Sequence, residues 1–460
     1  MPWPARLTRL PHLIILDPDY DGPLSAAGIF AAFAVPRPGP YISPMTYDEA
    51  IAFWFARINY EVRSATPADL KLERMRAFLR ALGDPHDRLR IVHITGTKGK
   101  GSTAAMLDSV LRAAGYRVGL FTSPHLDRVE ERIQLDGVPI TNEELAALMG
   151  EIAPVVRSLE TEPNQGPTFF EISTALGFLH FVRRRVDVAI VEVGLGGRFD
   201  STNVCRPRVS IIATVGLDHM AQLGDTVEEI AYQKAGIIKR GVPVVCGVQE
   251  PAARRVIEAV AREVNAEIRT PSDNMPYRLG LLGRHQIENA KLVVATAEVL
   301  NSQGLSISNA ALATGLAQIR WPGRIELISR NPHIVLDCAH NVPSVSALAE
   351  TLETEWPVIG KRKLVFAVSS DKDYPAMLRI LAPHFDHFHL TKYGINPRCV
   401  PPETLAEVLQ NVAPGKAFTL HETSHGAWAG ARAAANPDDL ICITGSVFLA
   451  GELQAALRRG

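Results

Sequence analysis

The chain has 460 residues, of which 47% are hydrophobic and 21% charged, and its formal net charge at pH 7 is −1. This length predicts two or three domains with a large core, and the composition is typical of globular proteins. The near-zero net charge excludes a global electrostatic field that would attract nucleic acid or an anionic membrane surface. No apolar run approaches the roughly 18 residues of a membrane span. We therefore expect neither nucleic acid nor a membrane as a partner.

The five cysteines include no C-x-x-C pair. This usage argues against a zinc site and against a disulfide framework. A reducing cytoplasm is therefore the expected location, and we expect the chain to act as a monomer.

The first 44 residues are rich in proline and show no sustained hydrophobic periodicity. The pattern predicts a loosely ordered extension over residues 1–44. The apolar run from Leu13 to Leu16 is too short for the hydrophobic region of a signal peptide. Organised sequence begins at Met45, which could be the true start of the protein.

Two helical patterns follow the extension. Residues Tyr47–Tyr60 have helical spacing, and Leu70–Leu82 place their apolar side chains on one face. Gly83 and Pro85 are expected to end the second helix.

The stretch Ile91–Ala105 reads I-V-H-I-T-G-T-K-G-K-G-S-T-A-A. It predicts a buried strand, a glycine-rich turn and a helix, in the order of a phosphate-binding loop. Glycines let backbone N–H groups turn toward an anion, and the helix N-terminus adds a partial positive charge. Lys100 can reach terminal phosphates, and the hydroxyl of Ser102 or Thr103 can contact phosphate or Mg²⁺. The spacing is shorter than G-x-x-x-x-G-K-[ST], so the general motif matches only in part.

Continuous apolar runs alternate with helical patterns after this loop. Such runs are typical of strands that are covered on both faces, so the alternation predicts a doubly wound, mostly parallel α/β sheet. The predicted strands are Arg117–Thr122, Val186–Val193, Val209–Val215 and Val242–Val245.

Polar candidates follow the predicted strands at their carboxyl ends, where ligands bind in such sheets. The loop at Gly96, and then Ser123, Glu192 and His219, each follow a separate strand. If these strands are neighbours, the four groups converge on one crevice.

The same alternation starts again near the C-terminus. Strands are predicted at Ile334–Leu336, Leu364–Val368 and Leu440–Thr444, and Trp321–Gly323 is a candidate hinge. We therefore predict an ATP-binding P-loop domain over residues 45–322 and a smaller Rossmann-like α/β domain over residues 323–460.

Residue types alone leave the roles of the polar candidates open. Magnesium prefers oxygen ligands, which suits Ser123 and Glu192, whereas the imidazole of His219 favours softer metals. Glu192 could instead be a structural buried carboxylate, and His219 a hydrogen-bonded turn residue. Three groups of the second domain are weaker candidates: Asp337, His340 and Lys372.

Five strings resemble one enzyme family. The string G-T-K-G-K-G-S-T at residues 96–103 resembles the ATP loop of the Mur-type amide ligases. Four more are similar to strings of folylpolyglutamate synthase and its bifunctional relative, dihydrofolate synthase. They are T-S-P-H-L (122–126), V-E-V-G-L-G-G-R-F-D-S-T-N (191–203), G-L-D-H-M (216–220) and D-C-A-H-N (337–341). The resemblance runs from about Tyr47 to the C-terminus.

The resemblance implies a site for ATP and Mg²⁺. The ATP phosphates would be held by Gly96, Thr97, Lys98, Gly99, Lys100, Gly101 and Ser102. Further positions that match or adjoin the family's ATP contacts are Asn289, Arg324, Asp337 and His340. Its metal ligands match Ser123, Glu192, His219 and Lys234, the last being a lysine that is carbamylated in the family. The catalytic candidates are Lys100, Lys234 and His219, and the stretches near the pterin are Thr168, Phe169, Phe170 and Glu171, and Phe199, Asp200 and Ser201.

The reaction that the resemblance implies is ATP-dependent amide formation. A carboxylate of the pterin substrate attacks the γ-phosphate, and the amine of L-glutamate then attacks the acyl phosphate. Lys100 and magnesium would neutralise charge, and domain closure would complete the site and exclude water. The acceptor remains open between a folate, dihydropteroate, or both.

Two alternatives and two departures from the family accompany this interpretation. A cell-wall Mur-type amino-acid ligase would carry a nucleotide-sugar domain before the ATP loop, and a non-ligating regulatory ATPase would not need the metal-ligand strings.

Lys98 stands where many family members have asparagine, which would add positive charge near the phosphates. Residues 1–44 have no counterpart in the family.

Overall fold

The computed structural model describes residues 45–60, 72–160, 166–357, 360–394 and 396–458. The predicted extension over residues 1–44, and the question of the true start, lie outside the described residues.

Two helices precede the first sheet, α1 (Tyr47–Phe55) and α2 (Leu72–Ala81). Helix α1 begins with a reciprocal capping box between Thr46 and Glu49. The prediction that it continues to Tyr60 was wrong, because the carbonyl of Ile58 accepts the N–H of Phe169 at 3.0 Å instead of a helical partner.

The first sheet has eight strands in the order β4-β3-β2-β5-β1-β6-β7-β8. Strands β1, β2, β5, β6, β7 and β8 pair in parallel, whereas β3 and β4 form an antiparallel edge. The strands are β1 (Ile91–Thr95), β2 (Val118–Phe121), β3 (Ile133–Leu135), β4 (Val138–Pro139), β5 (Val188–Glu192), β6 (Val209–Ile212), β7 (Val244–Cys246) and β8 (Ile268–Arg269).

Helices cover both faces of this sheet. They are α3 (Lys100–Ala113), α4 (Asn142–Ser158), α5 (Phe169–Arg183), α6 (Met220–Leu223), α7 (Val227–Ala235), α8 (Pro251–Glu263), α9 (Arg284–Ser302) and α10 (Asn309–Gln318). One apolar cluster joins the sheet to α3, α9 and α10, and another joins it to α1, α2, α4 and α5. We call this sheet with its helices the first lobe.

The second sheet has six strands in the order β13-β12-β11-β14-β10-β9, and only β9 is antiparallel to its neighbour. The strands are β9 (Glu326–Arg330), β10 (His333–Leu336), β11 (Arg362–Phe366), β12 (His387–Leu390), β13 (Ala417–Leu420) and β14 (Leu440–Thr444). The helices are α11 (Val342–Glu355), α12 (Tyr374–Leu381), α13 (Pro402–Val412), α14 (Ser424–Ala433) and α15 (Val447–Leu457). We call this sheet with its helices the second lobe.

The predicted fold class, two mostly parallel α/β sheets covered by helices, is confirmed. The antiparallel edges and helices α8 to α10 were not predicted. All five cysteines are free. No helix within the described ranges is long and apolar enough to cross a membrane.

The helix that follows the glycine-rich turn is held by close backbone packing. Helix α10 packs on α3, and the hydroxyl of Ser109 donates to the carbonyl of Gly315 at 2.8 Å. A Cβ atom at Gly315 would lie 2.5 Å from Cα of Val110. The two helices can therefore approach this closely only because residue 315 has no side chain.

We expect Gly315→Ala to lower the free energy of unfolding by about 1–3 kcal/mol, because the added methyl meets backbone atoms that cannot rotate away. Gly150, inside α4, is the matched control, since a Cβ there would meet its nearest neighbour at an ordinary 3.6 Å. Gly150→Ala should be neutral or stabilising by about 0.5–1 kcal/mol. Urea unfolding of both variants measures the difference, and equal effects would contradict this account of the packing.

Candidate active site

The glycine-rich loop, residues Gly96–Ser102, runs from β1 into α3. Gly99 has a left-handed backbone with φ of 82°, and a Cβ atom there would lie 2.2 Å from Oδ1 of Asn289. Both observations require glycine at this position. The close approach also places Asn289 of α9 directly against the loop.

The segment after β6 supports the front of the loop. The N–H of Thr97 donates to the carbonyl of Thr214 at 2.9 Å, and the N–H of Lys98 donates to its hydroxyl at 2.8 Å. The N–H of Thr103 is bonded to the carbonyl of Gly99 at 2.9 Å. The N–H groups between these points, at the start of α3, are those that helix geometry leaves without an intrahelical acceptor. They can therefore bind an anion such as a phosphate.

The carboxyl ends of β2, β5, β1 and β6 are adjacent in the sheet. Four parts of the chain therefore meet at one edge of the sheet. They are Ser123 after β2, Glu192 at the end of β5, the glycine-rich loop after β1 and the turn of His219 after β6. The N–H of Ser123 donates to Oε2 of Glu192 at 3.3 Å. No three histidine, cysteine, aspartate or glutamate side chains are grouped as a metal site anywhere in the described chain.

Glu192 is buried, with 4% of its surface exposed. Burial raises the pKa of its carboxyl, and Lys100 and the N–H of Ser123 oppose that shift. A Cβ at Gly101 would lie 3.6 Å from its Oε2 atom, so the carboxylate faces the start of α3. A buried carboxylate next to a phosphate-binding loop fits a magnesium ion, which takes one or two carboxylates and completes its shell with phosphate and water.

His219 differs from these two residues. It has a φ of 52° and precedes α6, and about half of its side chain is exposed. Its Nε2 atom lies 3.9 Å from Oδ1 of Asp218. Within the described residues no hydrogen bond joins His219 to Ser123 or Glu192, so it stands at the rim of the site.

Lys234 lies near the end of α7 and has 3% of its surface exposed. Burial and the positive charge of Lys100 lower the pKa of its ammonium group to about 7, while Asp218 opposes the shift. Near neutral pH a large fraction of this side chain is therefore an uncharged amine. Such an amine can react with carbon dioxide to give a carbamate, which would convert a cation into an anionic metal ligand.

The second lobe contributes a turn around Asp337. Its buried carboxylate accepts the N–H of Ile325 at 3.0 Å and that of Ala339 at 2.8 Å. Burial raises the pKa of this carboxyl, and Arg324 opposes the shift. Nδ1 of His340 lies 2.8 Å from the carbonyl oxygen of Cys338, and burial lowers the pKa of this histidine to about 3, so the ring is neutral.

Asn289 belongs to a short hydrogen-bonded chain at the start of α9. Its Nδ2 donates to Oε1 of Gln286 at 2.9 Å, and Nε2 of Gln286 donates to the hydroxyl of Ser102 at 3.4 Å. The sequence analysis did not select Gln286, because its position shows only when α9 is packed against the loop. Arg324, just before β9, donates to the carbonyl of Gly323 at 3.1 Å, and its positive charge lowers the pKa of Glu192 against the effect of burial.

Asp218 is a further residue that sequence reasoning missed. Nζ of Lys98 lies 3.2 Å from its Oδ2 atom. Burial alone would raise the pKa of this carboxyl, but Lys98, His219 and Lys372 outweigh burial and lower it. Its position just before His219, at the end of a predicted strand, is the signal that could have identified it.

In the first stretch assigned to the pterin, Thr168–Glu171, three residues are buried in contacts within the protein and Phe170 is only partly buried. Thr168 and Glu171 form the capping box of α5, and Glu171 also pairs with Nε of Arg74 at 2.7 Å. Phe169 is buried and stacks on Trp54 with ring centroids 5.1 Å apart. Phe170 is only partly buried, and a Cβ at Gly194 would lie 2.6 Å from its ring.

The second stretch assigned to the pterin, Phe199–Ser201, has two buried residues and one exposed residue. Asp200 is buried and accepts the N–H of Leu195 at 2.9 Å and that of Thr202 at 3.0 Å. The hydroxyl of Ser201 lies 2.7 Å from that of Thr174. Phe199 is 44% exposed, which leaves its ring free to contact a ligand.

Family models, curated relatives and solved structures that match this chain all point to the same group of ligases. The Mur ligase middle domain matches residues 94–266, and the glutamate ligase domain of Mur ligases matches residues 323–447. The dihydrofolate synthase/folylpolyglutamate synthase of Bacillus subtilis is 35% identical over 90% of this chain and 99% of its own length. Mycobacterium tuberculosis folylpolyglutamate synthase complexed with ADP has a TM-score of 0.80 at 32% identity, and the match covers 89% of this chain and 99% of that one. Escherichia coli FolC in complex with DHPP and ADP has a TM-score of 0.78 at 28% identity, over 90% and 99% of the two chains.

The lowered pKa of Lys234 predicts a pH-dependent reaction with carbon dioxide. With a pKa of about 7, about half of the side chain is neutral at pH 7, against less than about 0.1% for an ordinary lysine. Only the neutral amine forms a carbamate, so the carbamate signal in ¹³C NMR with labelled bicarbonate should rise as the pH increases through 7.

The signal should vanish in Lys234→Arg and persist in Lys291→Arg. Lys291 is the matched control because hydrogen bonds to Glu288 and Asp273 raise the pKa of its ammonium. A signal that ignores the Lys234 substitution, or that falls with rising pH, would contradict the assignment.

Proposed function

The chain belongs to the folylpolyglutamate synthase and dihydrofolate synthase family of Mur ligases, and we propose how its own residues carry out ATP-dependent ligation of L-glutamate to a folate or to dihydropteroate. The observation that carries this proposal is the meeting of the glycine-rich loop, Ser123 and Glu192 at one sheet edge. That arrangement provides an anion site and a carboxylate for a metal in adjacent positions.

The glycine-rich loop binds the phosphates of ATP. The N–H groups at the start of α3 donate to phosphate oxygens, and the helix N-terminus favours their negative charge. Lys100, whose Nζ donates to the carbonyl of Gly96 at 3.1 Å, lies over the loop and can turn to the γ-phosphate. Its charge offsets the charge that develops as the phosphoryl group moves to the acceptor carboxylate.

Magnesium, when bound, would supply positive charge beside the phosphates. Ser123, just after β2, and Glu192, at the end of β5, would hold this ion through oxygen atoms, and His219 and a carbamylated Lys234 would be further ligands. Burial of Glu192 favours this role, because an ionised buried carboxylate needs a cation nearby.

The remaining ATP contacts come from both lobes. Asn289 lies against Gly99 in the first lobe. Asp337 organises the turn that carries Arg324 and His340 in the second lobe. This division means that ATP is fully enclosed only when the lobes are together, which excludes water from the acyl phosphate.

The pterin lies against Phe170 and Phe199. Their rings are the two in the predicted stretches with surface free for stacking on a flat heterocycle. The other members of those stretches, Thr168, Phe169, Glu171, Asp200 and Ser201, shape this wall through the contacts described above. The acceptor carboxylate attacks the γ-phosphate, and the amine of L-glutamate then displaces phosphate from the carbonyl carbon.

We further propose that the protein works as a monomer in the cytoplasm, without nucleic acid or a membrane as partner. Free cysteines throughout the chain support a reducing compartment. Sedimentation of the purified protein with ATP and magnesium tests the monomer, since a dimer would double the mass.

Product analysis tests the proposed function. The protein is incubated with ATP, Mg²⁺, L-glutamate and either dihydropteroate or a reduced folate, and the products are weighed by mass spectrometry. A product heavier by one glutamyl residue with either acceptor supports ligation and identifies the acceptor. Phosphate release that ignores both glutamate and pterin would instead indicate a non-ligating ATPase, and ligation only to a nucleotide-sugar would indicate a cell-wall ligase.

Lys100→Ala should lower glutamate-dependent phosphate release by at least about 100-fold, the usual loss when one group that stabilises the transition state is removed. The fold should remain intact, because among the described residues Nζ of Lys100 makes one hydrogen bond, to a carbonyl of its own loop. Lys392→Ala removes an exposed lysine that pairs with Glu422 and should retain full activity. Retained turnover in Lys100→Ala would remove this lysine from the mechanism.

A further inference from the structure

We propose that Asp218 is a positioning residue that clamps the second lobe over the glycine-rich loop and so keeps ATP use coupled to amide formation. The inference rests on the proposed ligase function. Asp218 belongs to the turn between β6 and α6, and its carboxylate contacts side chains from both lobes.

Side chains from three other segments contact this carboxylate, in addition to the backbone N–H of His219, which donates to Oδ1 at 3.0 Å. Nζ of Lys98, from the glycine-rich loop, lies 3.2 Å from Oδ2. Nδ2 of Asn341 donates to the same oxygen at 3.3 Å, and Nζ of Lys372 lies 3.7 Å from Oδ1. Lys98 belongs to the first lobe, whereas Asn341 and Lys372 belong to the second, so one carboxylate joins the two.

The contact from Asn341 is oriented by its own helix. Its Oδ1 atom accepts the N–H of Ser344 at 3.1 Å and the hydroxyl of Ser344 at 2.7 Å, which caps α11. With the oxygen engaged there, the amide nitrogen must face Asp218. Asn341 directly follows the turn of Asp337 and His340, so the clamp fixes the position of that turn over the loop.

The clamp is shielded from solvent. The exposed fractions of the side chains are 14% for Asp218, 15% for Lys372 and 28% for Lys98. Charge pairs at this depth are screened less than surface pairs. When ATP binds, its phosphates compete for Lys98, but Asn341 and Lys372 remain to hold the carboxylate, so the clamp persists in the loaded enzyme.

A second contact between the lobes does not depend on charge. Leu126 packs with the apolar cluster of the second lobe, and its carbonyl oxygen would lie 1.9 Å from a Cβ atom at Gly451. This contact keeps the lobes joined when the Asp218 charge is removed. We call the contact surface between the two lobes the seam. Removing the charge of Asp218 is expected to loosen this seam while the protein stays folded.

A loosened seam admits water to the acyl phosphate. Water then attacks the carbonyl carbon, the bond from that carbon to the phosphate oxygen breaks, and inorganic phosphate leaves as the carboxylate is regenerated with loss of a proton. ATP is consumed and no amide forms. The ratio of phosphate released to amide formed therefore reports on the clamp, and a purely structural role would leave it at one.

The test compares Asp218→Asn, Lys372→Met and the double variant for phosphate release and amide formation under saturating ATP, Mg²⁺, L-glutamate and the accepted pterin. We expect kcat for ligation to fall about tenfold in each, which corresponds to 1.36 kcal/mol, with KM for ATP changed less than about twofold. The ratio of phosphate to amide should rise above one. Because both substitutions break the same clamp, the double variant should resemble either single variant.

Matched controls carry the same charge changes away from the seam. Asp273→Asn removes an exposed partner of Lys291, and Lys392→Met removes an exposed partner of Glu422. Both should keep a ratio of one.

Each other outcome has a defined meaning. A ratio of one in both clamp variants, or losses that multiply in the double variant, would overturn the proposal, since multiplying losses indicate separate roles. If Asp218→Asn does not fold, the ratio in Lys372→Met decides alone. Absence of ligation by the unaltered protein would contradict the proposed function and not the clamp.

Discussion

The carboxyl ends of four neighbouring parallel strands, β2, β5, β1 and β6, meet at one edge of the first sheet, and each part of the candidate site depends on that constraint. Parallel strands require crossover helices, so successive strand ends return to the same edge and each delivers a polar residue there. The segment after β6 accepts hydrogen bonds from the backbone of the loop after β1, and Asn289 of α9 lies against Gly99 of that loop. An anion site and a buried carboxylate therefore become neighbours although they lie about 90 residues apart in the chain.

The balance of charge at this edge explains the behaviour of its titratable groups. Several lysines, among them Lys98, Lys100 and Lys234, gather near few carboxylates, which suits a polyphosphate ligand. Burial keeps Lys234 partly neutral and raises the pKa of Glu192. Both groups are therefore best satisfied when phosphate and a dication are bound beside them.

The second lobe matters through the contacts that it makes with the first. The turn of Asp337 and His340 is organised within its own lobe, but Asn341 next to it donates across the seam to Asp218. Leu126, three residues after Ser123, packs against the same lobe. The site that binds phosphate is thus continuous with the surface that fixes the lobes, so lobe position and ATP chemistry share residues.

Local sequence determined the elements whose patterns are short-range. The glycine-rich turn, the strand before it, the helix after it and the family strings could all be identified without coordinates, because backbone conformation and hydrophobic periodicity are encoded by near neighbours. The tertiary structure alone decided where α1 ends, which of the pterin candidates are internal, and which charges face one another. The carbonyl of Ile58, beyond the end of α1, accepts the N–H of Phe169, Glu171 pairs with Arg74, and Asp218 pairs with Lys372. Each of these contacts joins residues that are far apart in the chain, and no local pattern specifies such a pair.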